Sequence, residues 1–211
     1  MRPPALTSTN PRPPRTKRVW GAAFLTLLLA SPLAAQRGAL TLPRSLDQLV
    51  DQAATIIRGH VVSARVERHP TLTNLHTIVV TLRVHQTFKG QAGQTFTFRQ
   101  YIWDVRDRYD AAGYRKGQHL LLLMNPPTRY GLSSPAGLGQ GRFRILVDRQ
   151  GREYALNGHA NAGLFRQMSQ RLKKSGRTLQ PSLAQLADQH RSGPVQLDDL
   201  QNLIRTLAGN N

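Results

Sequence analysis

Residues 77–100, TIVVTLRVHQTFKGQAGQTFTFRQ, have the most regular strand pattern in the sequence. Apolar and polar residues alternate on both sides of a short segment with lysine and glycine, which is typical of two neighbouring antiparallel strands. Phe88 is predicted to close one end of the core, and Gly90 to supply the positive φ of the reversal. One interior is expected to hold the apolar residues of both strands: Ile78, Val80, Leu82, Val84, Phe96 and Phe98.

The residues around this stretch predict a helix and further strands. Ser45 and Gln48 form a capping box, which marks the start of a helix. Residues 55–67 then change to the alternation of a strand, and Gly59 inside it predicts a β-bulge or bend. Residues 118–124, QHLLLLM, predict a central strand that is buried on both faces.

The carboxyl-terminal third predicts a hairpin followed by helices. The hairpin covers residues 142–156, and a helix is expected from Asn161 to Gly176. A second capping box, Ser182 with Gln185, starts the next helix, and a last helix ends before Gly209. The predicted fold is therefore an all-β core, a small OB-like barrel of five to six antiparallel strands, with flanking α-helices.

The first 35 residues have the composition of a secretory signal peptide. Basic residues precede the apolar run 19–30, and small residues follow it up to Ala35, the expected cleavage position. The apolar run is shorter than the ~20 residues of a membrane span, so we expect no transmembrane span after cleavage. The predicted domains are 1–35 (signal peptide), 36–160 (helix plus barrel) and 161–211 (helical appendage).

Composition adds a location and a surface charge. The chain has no cysteine, which favours a bacterial periplasm or exterior over a eukaryotic secretory route. Its net charge is +18, and removal of the leader with its five basic residues leaves 24 basic against 11 acidic residues, or +13. Such a surface attracts polyanions, and it is also a common source of solubility. Composition leaves both interpretations open.

Residues 45–147 resemble a known group of proteins. The motifs are LDQLVDQAATIIRGHVVSARV, HTIVVTLRVHQTFKG, YRKGQHLLLLM and GLGQGRFRI. They are similar to those of uncharacterised exported bacterial proteins whose OB-type barrel is similar to netrin-like and metalloproteinase-inhibitor domains. The resemblance implies the barrel fold and assigns no residue a role. Protease inhibition is not implied, because that activity uses cysteines that this chain lacks.

Metal and catalytic motifs are absent from the sequence. The seven histidines lack the tight spacing of zinc sites, so we expect no metal and no cofactor. Antiparallel strands can nevertheless bring distant histidines together, and His85 and His119 form the pair to check. Ser133 and Ser134 lie in a loop without a nucleophile elbow, so we expect no catalytic residue and no enzyme.

Basic and aromatic residues concentrate between residues 99 and 116. OB-type barrels bind single-stranded nucleic acid and sugars with this combination. The ring of Trp103 either faces a ligand or folds back onto the barrel, and the sequence does not choose between the two. The candidate ligand-binding residues are Arg99, Tyr101, Trp103, Arg106, Arg108, Tyr109, Arg115 and Lys116.

The leading hypothesis for function is an exported, non-catalytic module that binds or scaffolds something in the bacterial envelope. Its partner is unknown; an envelope polyanion or a protein fits the charge, whereas nucleic acid is not expected in that compartment. The first alternative is polyanion or carbohydrate binding through the basic and aromatic loop. The second alternative is an unrecognised hydrolase.

Overall fold

A computed structural model describes residues 42–209, so the predicted signal peptide and its cleavage position lie outside the described residues. The strands are β1 Thr55–Arg68, β2 His76–Lys89, β3 Thr95–Tyr101, β4 His119–Met124, β5 Arg142–Val147, β6 Glu153–Asn157 and β7 Val195–Gln196. They form one antiparallel sheet in the order β3-β2-β1-β4-β5-β6-β7. The apolar strand β4 is therefore central, as predicted.

The described residues also contain four α-helices and three short 3-10 helices. The α-helices are α1 Leu46–Gln52, α2 Met168–Lys174, α3 Pro181–Gln189 and α4 Leu197–Ala208. The 3-10 helices are Val105–Arg108, Ala111–Gly113 and Leu138–Gln140. Within residues 42–209, none of these helices combines the length and the apolar character that a membrane crossing requires.

The hairpin of β2 and β3 has the buried phenylalanine and the glycine turn that the sequence predicts. Phe88 is buried, and Gly90 has a positive φ of 72°. The Lys89 ammonium donates to the carbonyl oxygen of Val50 at 2.7 Å, so it caps the carboxyl end of α1. At the other end of α1, the Ser45 backbone N–H donates to the Gln48 side chain at 3.1 Å, which confirms the first capping box.

The sheet separates two apolar clusters. One face carries the predicted shared interior: Ile78, Val80, Leu82 and Phe98 are buried together, with Val84 and Phe96 partly buried against them. On the opposite face, apolar residues of the sheet pack against the helices. This second cluster includes Leu49 and Val50 of α1, Ile56 of β1, Leu121 and Leu123 of β4, Phe143 of β5, and Leu200 and Ile204 of α4. The carboxyl-terminal helices therefore pack on the sheet.

The antiparallel core with flanking helices is confirmed, whereas closure into a barrel of five to six strands is not found among residues 42–209. The sheet is open and has seven strands, with β3 and β7 at its edges. The loop after β4 does return towards β3, but it makes only a single bridge between Arg99 and Leu132. Because β5 pairs with the far side of β4, the chain extends the sheet outward and does not complete a ring.

Two predicted features of the carboxyl-terminal helices are wrong. The helix expected from Asn161 is replaced by turns as far as Gln167, and α2 starts only at Met168. Asn161 is itself at φ 55°, and its buried side-chain amide donates to the carbonyl oxygen of Ala155 at 2.8 Å. That contact holds the backbone in a turn. The following helix, α3, begins at Pro181 without a side-chain cap, so the second capping box does not form.

Candidate metal centre

A β-bulge between β1 and β2 changes the direction of His85. Arg58 pairs with Gln86 and Gly59 pairs with Val84, so the β1–β2 register skips His85. A Cβ atom on Gly59 would lie 2.2 Å from the Arg83 carbonyl oxygen, so only glycine permits this close approach of the two backbones. The bulge predicted at Gly59 is confirmed. His85 is therefore left out of the regular strand pairing and lies beside His60.

His60 and His119 are direct neighbours across the sheet. They are paired residues of β1 and β4, and directly paired residues point to the same face. Their imidazole rings are stacked, with centroids 4.2 Å apart and planes 14° from parallel. This face is the helix-covered one, because the preceding pair on it, Arg58 with Leu121, includes a residue of the helix-packed cluster.

The three histidines offer ligand nitrogens at metal-binding distances. The Nδ1 of His60 lies 3.2 Å from the Nε2 of His85. One nitrogen from each of His60, His85 and His119 can be chosen so that all three lie within 4.8 Å of one another. Two ligand nitrogens of a tetrahedral zinc ion lie about 3.3 Å apart when each Zn–N bond is about 2.0–2.1 Å. The three nitrogens therefore lie close enough together to be candidate ligands of one ion.

The two nitrogens of His119 have different surroundings. Its Nδ1 lies 3.6 Å from the Glu153 Oε1 of β6. Its Nε2 is buried and has no hydrogen-bond partner in the described part of the chain. A metal-binding histidine usually directs its second ring nitrogen at a carboxylate, which orients the ring and raises its basicity. Glu153 occupies that position relative to His119, and Nε2 is the nitrogen left for a metal.

Burial and nearby positive charge lower the pKa of two of the three histidines, His85 and His119. The pKa of His119 is lowered to about 4, chiefly by burial and then by positive charge on His60, Arg58 and His85. Burial is also the main cause of the lowered pKa of His85, followed by the charges of its neighbours. Only a neutral imidazole has a lone pair for a metal ion. Protons therefore compete weakly with a metal for these two side chains.

The eight residues predicted to bind a ligand have different surroundings in the structure. Arg99 is occupied: its guanidinium donates to Thr77 at 2.8 Å and to Glu67 at 3.0 Å. Tyr101 and Trp103 do come together, with their rings edge to face at 5.0 Å. Both line a shallow cavity of about 250 Å³. Trp103 is 58% exposed. Trp103 therefore does not fold back fully onto the sheet.

The remaining members of that set lie further along the loop. The guanidinium of Arg106 contacts the Asp104 carboxylate at 2.5 Å. Arg108, Arg115 and Lys116 are exposed, and Tyr109 is 89% exposed. Arg115 lines a separate cavity of about 320 Å³ together with Arg142 and Arg144. The loop is basic and exposed, and Arg115 lines a different cavity from Tyr101 and Trp103.

The serines considered for hydrolysis contact no histidine in the hydrogen bonds of residues 42–209. The Ser133 hydroxyl donates to the Asn125 carbonyl oxygen at 2.8 Å. The Ser134 hydroxyl lies 3.5 Å from the Asn125 side-chain nitrogen. Both hydroxyl groups make their contacts within the loop that follows β4.

His60 and Glu153 are the site residues that sequence reasoning missed. The pair singled out from the sequence, His85 and His119, is in the cluster. His60 lies on β1, the strand between those of His85 and His119. A local signal for His60 exists, since it follows Gly59 in a strand with a predicted bulge. No local signal points to Glu153, because β6 reaches His119 across β5.

Comparisons with protein-family models, with curated proteins and with solved structures give no match. The resemblance of residues 45–147 to exported OB-type barrel proteins therefore stays a prediction. Function is inferred below from the side chains of this chain alone.

Proposed function

We propose that the protein is an exported, non-catalytic module that binds one divalent transition-metal ion through His60, His85 and His119. The observation that carries the proposal is the placement of three imidazoles, with ligand nitrogens within 4.8 Å, on one face of three adjacent strands. This assigns a ligand to the binding module inferred from the sequence. It also replaces the expectation that the protein has no metal.

The ligand set selects the class of metal. Imidazole nitrogen suits Zn²⁺, Cu²⁺, Ni²⁺ and Co²⁺, whereas Mg²⁺ and Ca²⁺ prefer oxygen ligands. No thiolate is available, because the chain has no cysteine. Three histidines with an open fourth position are a common arrangement for zinc. Zn²⁺ is therefore the proposed ion, with Cu²⁺ as its strongest competitor under the general order of affinities.

The supporting strands make the site rigid. Each ligand lies on a different strand, and β1, β2 and β4 are neighbours in the middle of the sheet. Leu121, two residues after His119 on the same face, is fully buried. Ligands on a packed sheet lose little freedom on binding, which favours affinity. Export is supported by the composition of residues 1–35, and the partner in the envelope stays a prediction.

The test is a metal titration of tag-free protein by calorimetry with Zn²⁺ and Co²⁺. We expect one ion per chain, and we expect His60→Ala, His85→Ala and His119→Ala each to weaken binding by more than about 100-fold. His159→Ala is the matched control, because His159 is exposed and lies outside the cluster. The proposal fails if the wild-type protein does not bind, or if the control loses as much affinity as the ligand variants.

A second candidate function is polyanion or carbohydrate binding through the loop of residues 99–116. The observation in its favour is the indole of Trp103, which is 58% exposed and lies beside the Tyr101 ring. A stacked base or sugar would contribute about 1–3 kcal/mol. Trp103→Ala should then weaken binding of an anionic polymer at both low and high salt, without lowering the melting temperature. Binding that depends on salt alone would reject the stacking role. The hydrolase alternative has no such observation and is placed last.

A further inference from the structure

The proposed metal centre is surrounded by positive charge. Arg83 pairs directly with His60 across β1 and β2, so both side chains lie on the same face. Arg58 precedes His60 by two residues and shares that face. The carboxylate that contacts this group in the described part of the chain is Glu153, which lies 3.7 Å from Arg58 and 3.6 Å from His119. The group therefore includes two guanidiniums and one carboxylate, before any metal charge is counted.

Both guanidiniums have hydrogen-bond donors to spare. The Nε of Arg58 is buried without a partner within residues 42–209. The contact of the Arg58 terminal nitrogen with Glu153 is longer than a hydrogen bond. The Arg83 side chain is exposed, and its guanidinium makes no hydrogen bond or ion pair within residues 42–209. Both lie close enough to His85 for their charge to contribute to its lowered pKa. Two forked donors therefore border the histidine cluster.

The metal would keep one position open towards solvent. Three histidines supply three of the four ligands of a tetrahedral ion, and His85 is exposed, so solvent reaches this side of the cluster. A divalent ion together with Arg58 and Arg83 carries more positive charge than Glu153 alone can balance. An anion at the open position would relieve this excess, and a guanidinium binds carboxylate and phosphate oxygens with two parallel hydrogen bonds.

We propose that the fourth ligand is an oxyanion, a carboxylate or phosphate oxygen that binds the metal and accepts hydrogen bonds from Arg83 and Arg58. This inference rests on the proposed metal site. It turns that site from a simple metal store into a receptor for an anionic group, either free or carried by a larger molecule. Glu153 remains the orienting partner of His119 and does not serve as the fourth ligand.

The experiment uses the Co²⁺-loaded protein, because the visible spectrum of Co²⁺ responds to a change in its ligands. Inorganic phosphate and acetate are added in separate titrations, in a buffer that does not coordinate metals. At least one of them should give a saturable spectral change. Arg83→Gln should weaken the binding of that anion about tenfold, because one charge-assisted hydrogen bond is lost. The affinity for Co²⁺ should stay within a few-fold of wild type.

Arg65→Gln is the matched control, since Arg65 is an exposed arginine of the neighbouring strand β1. It should leave anion binding unchanged, and Arg83→Lys should retain part of it. A response to phosphate alone identifies a phosphoryl ligand, and a response to acetate identifies a carboxylate. A tetrahedral Co²⁺ spectrum that neither anion changes overturns this inference and leaves the metal site intact. Absence of that spectrum overturns the metal site itself.

Discussion

One face of the central sheet has two ends that differ sharply in chemistry. At one end, Ile56 of β1 and Leu123 of β4 are paired and fully buried against the helices. Four residues further along β1 on the same face, His60 pairs with His119, and both are only partly buried. The backbone pairing is the same at both ends. The two ends differ because the helices pack on the first end and leave the second accessible to solvent.

This comparison explains how a metal centre can form on an otherwise ordinary sheet. The apolar end fixes the separation and register of β1 and β4, because its residues are packed against α1 and α4. The histidine end inherits that geometry, and the bulge opposite Gly59 adds His85 to it. A binding site therefore arises at the boundary where a rigid core meets solvent.

The largest expected effect is at the apolar end. Leu121→Ala removes a fully buried side chain beneath the helices and should cost about 2–5 kcal/mol of unfolding free energy. Chemical denaturation of the metal-free protein measures this loss. A cost near zero would mean that the helices do not cover this part of the sheet.

The next effect is at the junction of the two ends. Gly59→Ala places a methyl group against the Arg83 carbonyl oxygen, so we expect a loss of about 1–3 kcal/mol from backbone displacement. The same displacement should move His85 and weaken Zn²⁺ binding. Gly93→Ala, in a loop with no atom within 4 Å of its added Cβ and, like Gly59, without a positive φ, controls for the general cost of replacing a glycine. Equal metal affinity in Gly59→Ala and wild type would contradict the role of the bulge.

A pH-dependent effect of about 1–2 kcal/mol is expected at the histidine end. The folded-state pKa of His119 is about 4, against 6.5 for an ordinary histidine. Between these values the unfolded chain binds more protons, so the metal-free protein loses stability as the pH falls from 6.5 to 4. Denaturation of wild type and His119→Gln at both ends of this range isolates the contribution of His119. An identical pH dependence in the two proteins would reject the assignment.

The smallest effect on stability should come from His85. Its side chain is exposed, so His85→Ala should change the unfolding free energy of the metal-free protein by less than about 0.5 kcal/mol. Zinc should stabilise the wild-type protein but not this variant, because a ligand that binds only the folded state raises stability. Thermal melts with and without Zn²⁺ measure both quantities. A large loss of stability without metal would indicate a structural role for His85.

The sequence predicted what local chemistry determines. The alternation around Leu82, the bulge at Gly59, the turn at Gly90 and the first capping box are properties of short segments, and the structure confirms them. Strand order is a long-range property. The third histidine, His60, joins the other two only because β1 lies between β2 and β4, and Glu153 only because β6 follows β5 outward.

The same distinction explains the errors. An open sheet and a closed barrel have identical alternation along each strand, so residues 77–100 could not decide between them. The helix expected from Asn161 failed for a tertiary reason. The Asn161 side chain donates to Ala155 and Gly193, two carbonyl groups that come near it only in the folded protein.

The most direct test of the central claim is X-ray absorption at the zinc edge of protein loaded with one equivalent of Zn²⁺. Three imidazole nitrogens at about 2.0–2.1 Å are predicted, with one further light-atom ligand. Replacement of His60, the middle member of the cluster, by alanine should remove imidazole from this shell, while His159→Ala should leave it unchanged. A zinc ion surrounded mainly by oxygen, or a spectrum that His60→Ala does not alter, would contradict the proposal that these three histidines form one metal site.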